Sequence, residues 1–230
     1  MALLIKGGRI ITATDDFVGD VYCAGETITR VAARIEEGSL KGAGDLEVID
    51  ATGKYVFPGF IDPHVHIHLP FMGTLAKDDW ASASRAALLG GTTTLLEMVC
   101  PAPDAAPLGA FEEWRGKADG RAAVDYGFHM GVVRFDDEAK GQLERIATEF
   151  GNPSFKVFLA YKGALNISDE DLFETLSLAK RLGVVVTAHC ENADLIAAMQ
   201  ARLIGEGKTG PEWHEPSRPV EVEALGVRHL

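Results

Sequence analysis

Positive charge is scarce in this chain. Its 22 lysines and arginines stand against 34 aspartates and glutamates, for a formal net charge of −12 over 230 residues. Nucleic acids and anionic membranes are polyanions, so an acidic balance argues against non-specific binding to either. Cysteine is scarce too. Cys23, Cys100 and Cys190 are far apart or lack a CxxC partner. So few, in odd number, provide no disulfide framework and fit a reducing cytosol, so a cytoplasmic protein is expected. Long apolar runs are missing. Met1-Ala2-Leu3-Leu4-Ile5-Lys6 breaks at Gly7-Gly8, too soon for a signal-peptide core, and no stretch is long enough to span a bilayer. There is no GxSxG, hence no serine-nucleophile elbow. Gly205-Glu206-Gly207-Lys208-Thr209 resembles a phosphate loop only superficially: the first glycine would fall at Arg202, and the segment follows a helix. Asn166-Ile167-Ser168 matches a glycosylation sequon that has no consequence in a cytosolic protein. No short repeat is visible.

What is present is an ordinary globular balance, 47% apolar and 24% charged, with length enough for a large core. Residues 1–56 read as short β-runs separated by glycine turns: Leu3-Leu4-Ile5, Asp20–Cys23, Ile28–Ala32 and Glu47–Asp50. That spacing predicts a small β-sandwich segment. From residue 57 the rhythm becomes alternating strand and helix. Strands are expected at Phe60–Ile67, Thr92–Val99, Ala123–Val133, Phe155–Tyr161 and Val184–His189. Helices are expected at Ala76–Leu89, Phe111–Lys117, Glu138–Phe150, Ser168–Arg181 and Ala193–Ile204, with Ser168 as an N-cap. Five β-α units in succession predict an α/β fold with a parallel sheet. A five-stranded doubly wound sheet would fit the length. Candidate ligands at several strand ends favour instead a (β/α)8 TIM barrel, of which only about five units are present, over residues 57–230.

The chemistry gathers at those strand ends. His64 and His66 are two apart, so a strand directs both imidazoles to one face, a spacing that suits two neutral donors on one divalent ion. Asp62 shares their parity and is positioned to orient a ligand histidine. Lys156 interrupts the apolar run Phe155–Tyr161. It is either a lysine that snorkels at an edge or a desolvated amine that loses its proton readily. A neutral amine reacts with carbon dioxide to give a carbamate, an anion able to bridge two cations. His189 closes Val184–His189 as a ligand candidate or a rim histidine bonded to water. Tyr161 is either a rim aromatic or a hydroxyl that donates to a developing oxyanion. His129, inside the third strand, reads as a satisfied core histidine.

Taken together, Pro58–His66, Leu69–Thr74, Gly90–Thr94, Phe155–Gly163 and His189–Asn192 resemble the hydantoinase/dihydropyrimidinase branch of the amidohydrolase superfamily. The likeness extends to His214-Glu215-Pro216-Ser217-Arg218-Pro219. The resemblance implies a distorted TIM barrel beside a β-sandwich and two divalent metal ions, zinc in type. His64 and His66 would hold the first ion, carbamylated Lys156 would bridge both, and His189 would hold the second. Tyr161 would stabilise the oxyanion when a bridging hydroxide attacks a cyclic amide carbonyl, and an aspartate would shuttle the proton. The partners implied are a small-molecule cyclic amide and other copies of the chain in a homo-oligomer. Dihydroorotase-like relatives place an arginine two residues after the second histidine. His68 stands there, which disfavours a carboxylate substrate. Leu69, Phe71 and Met72 would form an apolar wall for a hydantoin or dihydropyrimidine with an uncharged substituent.

The pattern is incomplete. The family's second histidine for the other metal lies on a later strand and its aspartate on the last. Neither has a counterpart within 230 residues, and His229 sits in Gly226–Leu230, outside any apolar strand. The expectation is an N-terminal portion of a ring-opening hydrolase. The competing expectation is a catalytically incompetent truncated homologue or assembly module.

Overall fold

The structure is a computed structural model that describes residues 1–40, 45–71 and 73–230. The chain divides into two compact units, Met1–Phe60 and Ile61–Leu230.

In the first unit, Ala2–Ile11 (β1) pairs antiparallel with Asp16–Ala24 (β2), which pairs antiparallel with Thr27–Ala32 (β3). The other edge of β1 is shared in parallel by Leu46–Asp50 (β4) and Tyr55–Val56 (β5). A sandwich was expected here, but the described strands form one mixed sheet. The reason lies in β1: at 10 residues it is long enough to seat two successive strands along one edge. Leu4, Ile10, Val21 and Ile35 are buried in this unit. The buried Asp20 carboxylate accepts from the Gly7 and Ile35 backbone N–H groups at 2.8 and 2.7 Å, which offsets the cost of its burial.

The second unit is built on a parallel sheet. Phe60–Val65 (β6) leads through the small hairpin of Pro70–Phe71 (β7) and Thr74–Leu75 (β8) to Trp80–Leu89 (α1). Then come Thr92–Val99 (β9), Pro107–Ala118 (α2), Asp125–Gly131 (β10), Asp137–Thr148 (α3), Ser154–Phe158 (β11), Asp169–Leu182 (α4), Val185–His189 (β12) and Ala193–Gly205 (α5). Short 3-10 turns lead to Val220–His229 (α6). The sheet order is β12-β11-β10-β9-β6, so each strand lies beside its predecessor. A doubly wound sheet would reverse direction at a switch point. This one does not, and it forms a partial parallel barrel.

Local chemistry sets the element boundaries. The helix expected from Ala76 begins at Trp80, because the Asp79 side chain accepts from Ser82 N at 2.8 Å and closes a capping box. Ser168 caps α4 as expected, accepting from Asp171 N at 3.1 Å. The strand expected to run to Tyr161 stops at Phe158, because Tyr161 turns left-handed at φ 63°. The core lies between sheet and helices: Phe155 and Val157 are fully buried with Trp80, Trp114, Leu143 and Ile146. Among the described residues, no helix is long and apolar enough to cross a membrane.

The backbone is tightly crowded where β10 ends. A Cβ at Gly131 would overlap the Val99 carbonyl oxygen and approach Pro101 Cδ to 2.9 Å. Gly131→Ala is expected to cost at least about 2 kcal/mol in denaturant unfolding. Gly116→Ala, inside α2 with open space at its Cβ, should be neutral or gain up to about 1 kcal/mol. Equal midpoints for the two variants would contradict the crowding.

Candidate metal centre

The sequence-derived candidates sit at the C-terminal ends of β6, β11 and β12. On a flat sheet β6 would stand roughly 14 Å from β11 and roughly 19 Å from β12, at three and four strand spacings. Curvature shortens that separation: His129 on β10 reaches the Pro63 carbonyl on β6 at 2.9 Å, past β9. Lys156 and His189 are among the charges that lower the pKa values of His64 and His66. The His64 and His66 rings stand edge to face with centroids 5.2 Å apart. His64 lies on β6 and His66 one residue past its end. Phe158 pairs with His189 across β11 and β12, so His189 lies two residues further along the sheet than Lys156.

The electrostatics favour neutral donors. Both imidazoles touch solvent, yet their pKa values fall below the ordinary range. Burial by the surrounding protein is the first cause. Lys156 is next for His64; for His66, His64 comes before Lys156. A neutral imidazole is the form that binds a metal. Lys156 is 3% exposed, with its ammonium over the Phe158 ring at 5.2 Å. It lies on β11, an inner strand between β10 and β12, not at a sheet edge where a lysine would snorkel, and it has no ion-pair partner among the described residues. Burial is the main cause that lowers its pKa, towards the neutral amine that carbamate formation requires.

Tyr161 stands beside this group. Its ring lies 5.0 Å from His189 and 5.4 Å, edge to face, from Phe71. A non-glycine residue at φ 63° carries strain of about 1 kcal/mol or more, and such strain clusters at functional positions. The turn is held by the Tyr161 carbonyl, which accepts from Ala164 N and Leu165 N at 2.9 and 3.0 Å. Burial raises the Tyr161 pKa, with Arg218 opposing, so the hydroxyl stays a donor. An apolar cavity of about 660 Å³ adjoins, lined by Phe71, Cys100, Ala110, Trp114 and Leu165. Leu69 is half-buried against the core and does not line it. Met72 lies outside the described residues.

Several supporting groups were not singled out by sequence reasoning. Glu97 on β9 is fully buried; its carboxylate accepts from Ile67 N at 2.5 Å and Met98 N at 3.0 Å. It therefore holds the backbone just after His66. It could have been found by the logic applied to Lys156, as the one charge in the run Thr92–Val99. His129 donates from Nε2 to the Pro63 carbonyl at 2.9 Å and accepts at Nδ1 from the Ser154 hydroxyl at 2.5 Å. Both nitrogens are used, so it is the satisfied core histidine the sequence suggested. Asp62 accepts from the His64 backbone N–H at 3.1 Å rather than from an imidazole. His189 Nε2 is bonded to the Glu191 carboxylate.

This donor set fits a metal centre with one condition. Among the described residues no three His, Cys, Asp or Glu side chains converge as a cation site. Two imidazoles at one end and one at the other would need an anionic bridge to hold metal, and Lys156 could supply it only as a carbamate.

The model of the amidohydrolase family matches residues 55–227. The chain is similar to D-hydantoinase of Geobacillus stearothermophilus, 43% identical over 224 residues, which cover 97% of this chain and 46% of that protein. It is 39% identical over 228 residues to the dihydropyrimidinase of Rattus norvegicus, covering 96% of this chain and 43% of that protein. Among solved structures, D-hydantoinase (dihydropyrimidinase) from Thermus sp. superposes with a TM-score of 0.90 at 55% identity, covering 97% of this chain and 48% of that one. The chain spans about half the length of the curated relatives it matches.

Glu97 gives the site region a pH signature. Burial pushes its pKa from 4.5 up to about 8, against the two backbone hydrogen bonds that lower it. A folded-state pKa above the unfolded one contributes stability that is present below about pH 4.5 and lost as pH rises through about 8. Glu97→Gln removes that titration. Between about pH 5 and 8.5 the unfolding free energy of the wild type should fall by at least about 2 kcal/mol more than that of the variant. Parallel stability profiles would contradict it.

Proposed function

Because the chain belongs to the amidohydrolase family, we propose that it serves the hydrolytic opening of hydantoin or dihydropyrimidine rings at a cyclic amide C–N bond. Its curved sheet is read as part of a (β/α)8 barrel with the site at the C-terminal strand ends. The observation that carries the reading is Lys156: buried, unpaired and pushed towards neutrality within the field of three histidines. Its neutral amine adds to carbon dioxide and releases a proton, which leaves a carbamate. That anion, with His64 and His66 on one side and His189 on the other, would hold two divalent ions of the zinc type. When bound, such ions supply Lewis acidity that activates water and polarises the amide carbonyl.

The chain's own residues bind and orient the ring. The Tyr161 hydroxyl, kept protonated, donates to the carbonyl oxygen as charge builds on it. Phe71 packs edge to face on Tyr161 and joins the site to the apolar cavity, which accepts an uncharged substituent. His68 offers no fixed positive charge for a substrate carboxylate. The relatives carry the names D-hydantoinase and dihydropyrimidinase, which favours uncharged cyclic amides of those classes.

A second reading, a catalytically silent homologue or assembly module, is favoured by the absence of a three-membered His, Cys, Asp or Glu cluster among the described residues. Ring opening of hydantoin and dihydrouracil by the zinc- and bicarbonate-supplied chain separates the two. Lys156→Ala is expected to lower the rate at least about 100-fold. Tyr161→Phe should lower kcat by about 100-fold with little change in KM. No turnover by the wild type, or equal rates with Lys156→Ala, would remove the first reading and leave the second.

A further inference from the structure

The segment His214–Pro219 has no part in the chemistry above, yet its arginine reaches the site. Arg218 Nη1 donates to Glu191 Oε2 at 2.5 Å, and both side chains are largely buried, at 15% and 14% exposure. The same Glu191 oxygen bonds His189 Nε2. The Arg218 guanidinium lies 5.6 Å from the Tyr161 ring centre, and that ring in turn lies 5.0 Å from His189.

The helix that follows the segment, α6, is packed closely on the loop after β12. Asn192 N donates to the Val222 carbonyl at 2.9 Å. A Cβ on Gly226 would come within 2.5 Å of the Cys190 carbonyl carbon and 2.6 Å of Glu191 N, so only glycine lets α6 approach this closely. The Ser217 hydroxyl, donating to the His214 carbonyl at 2.6 Å, closes the turn that aims Arg218.

We propose that Arg218 is a positioning residue: through the Glu191 carboxylate it fixes the His189 ring as the Nε2–H tautomer, so that Nδ1 is the nitrogen left to bind a metal. This rests on the reading of His189 as a ligand. A carboxylate that accepts the second N–H of a ligating imidazole fixes both its tautomer and its orientation. A free carboxylate on a loop does this poorly, because it can rotate towards solvent. A carboxylate pinned by a guanidinium cannot, so the arginine acts on His189 without touching it.

The test is imidazole ¹⁵N NMR of the metal-free full chain, at a pH where its histidines are neutral. It compares wild type, Arg218→Met, Arg218→Lys and Ser217→Ala. Wild type should show His189 held as the Nε2–H tautomer. Arg218→Met should give a mixture of tautomers. Arg218→Lys should restore most of the wild-type signal, because an ammonium can still pair with Glu191. Ser217→Ala loosens the same turn without removing the charge, so it should lower the melting temperature and leave the tautomer unchanged. Zinc titration of the same proteins should then show affinity at least about tenfold lower in Arg218→Met. An unchanged tautomer in Arg218→Met, or the same loss in Ser217→Ala, would overturn the proposal. The NMR arm needs no metal, so failure of the wild type to bind zinc would strike the ligand reading alone.

Discussion

Everything at the candidate site depends on the curl of the parallel sheet. Side chains on β6 and β12 sit at opposite edges of five strands, and only strong curvature lets them share an electrostatic field. His129 is the direct witness. From β10 it donates to the Pro63 carbonyl on β6, reaching past the whole of β9. On a flat sheet those strands would be roughly 10 Å apart. The contact is also a cause of the curl, since it joins two strands that do not pair and anchors the backbone next to His64. Ser154 holds the other ring nitrogen at the start of β11. One imidazole thus links three strands of the sheet.

The same region buries charge that an ordinary core would exclude. Glu97 and Lys156 are both nearly inaccessible. Each is tolerated for a different reason. Glu97 satisfies two backbone donors and holds the turn after His66 in place. Lys156 makes no hydrogen bond or ion pair among the described residues, and burial of the residue lowers the pKa of its amine. Tyr161, a non-glycine residue in left-handed conformation, is strained beside Lys156's strand. A buried lysine and a left-handed tyrosine near the same strand end are the local features on which the proposed site rests.

Much of this was legible in the sequence, and the parts that were not have identifiable causes. Thr92–Val99 was bounded to the residue, because β-branched residues there begin right after Gly90-Gly91. Ser168 announced its helix because a capping serine is a local signal. The hairpin between β6 and α1 was not legible: the cap at Asp79 outweighed a helical pattern that ran back to Ala76. Tyr161 was placed on a strand because apolar residues continue through it, whereas its φ is set by the turn that follows. In the first unit, strand positions could be read but layering could not, since β1's ability to seat both β4 and β5 depends on pairing register. The resemblance supplied the four ligand candidates as a set. It did not reveal the contacts of Glu97, His129 or Arg218, which are made to backbone groups or to another side chain.

The central claim is that His64, His66, Lys156 and His189 assemble into one metal-binding group on this chain. Elemental analysis of metal per chain, on protein purified without chelators, addresses it most directly. Close to two zinc equivalents per chain, falling on removal of Lys156, is the expected result. One equivalent or less, unaffected by Lys156, would mean that the strand ends lie near one another without forming a metal centre.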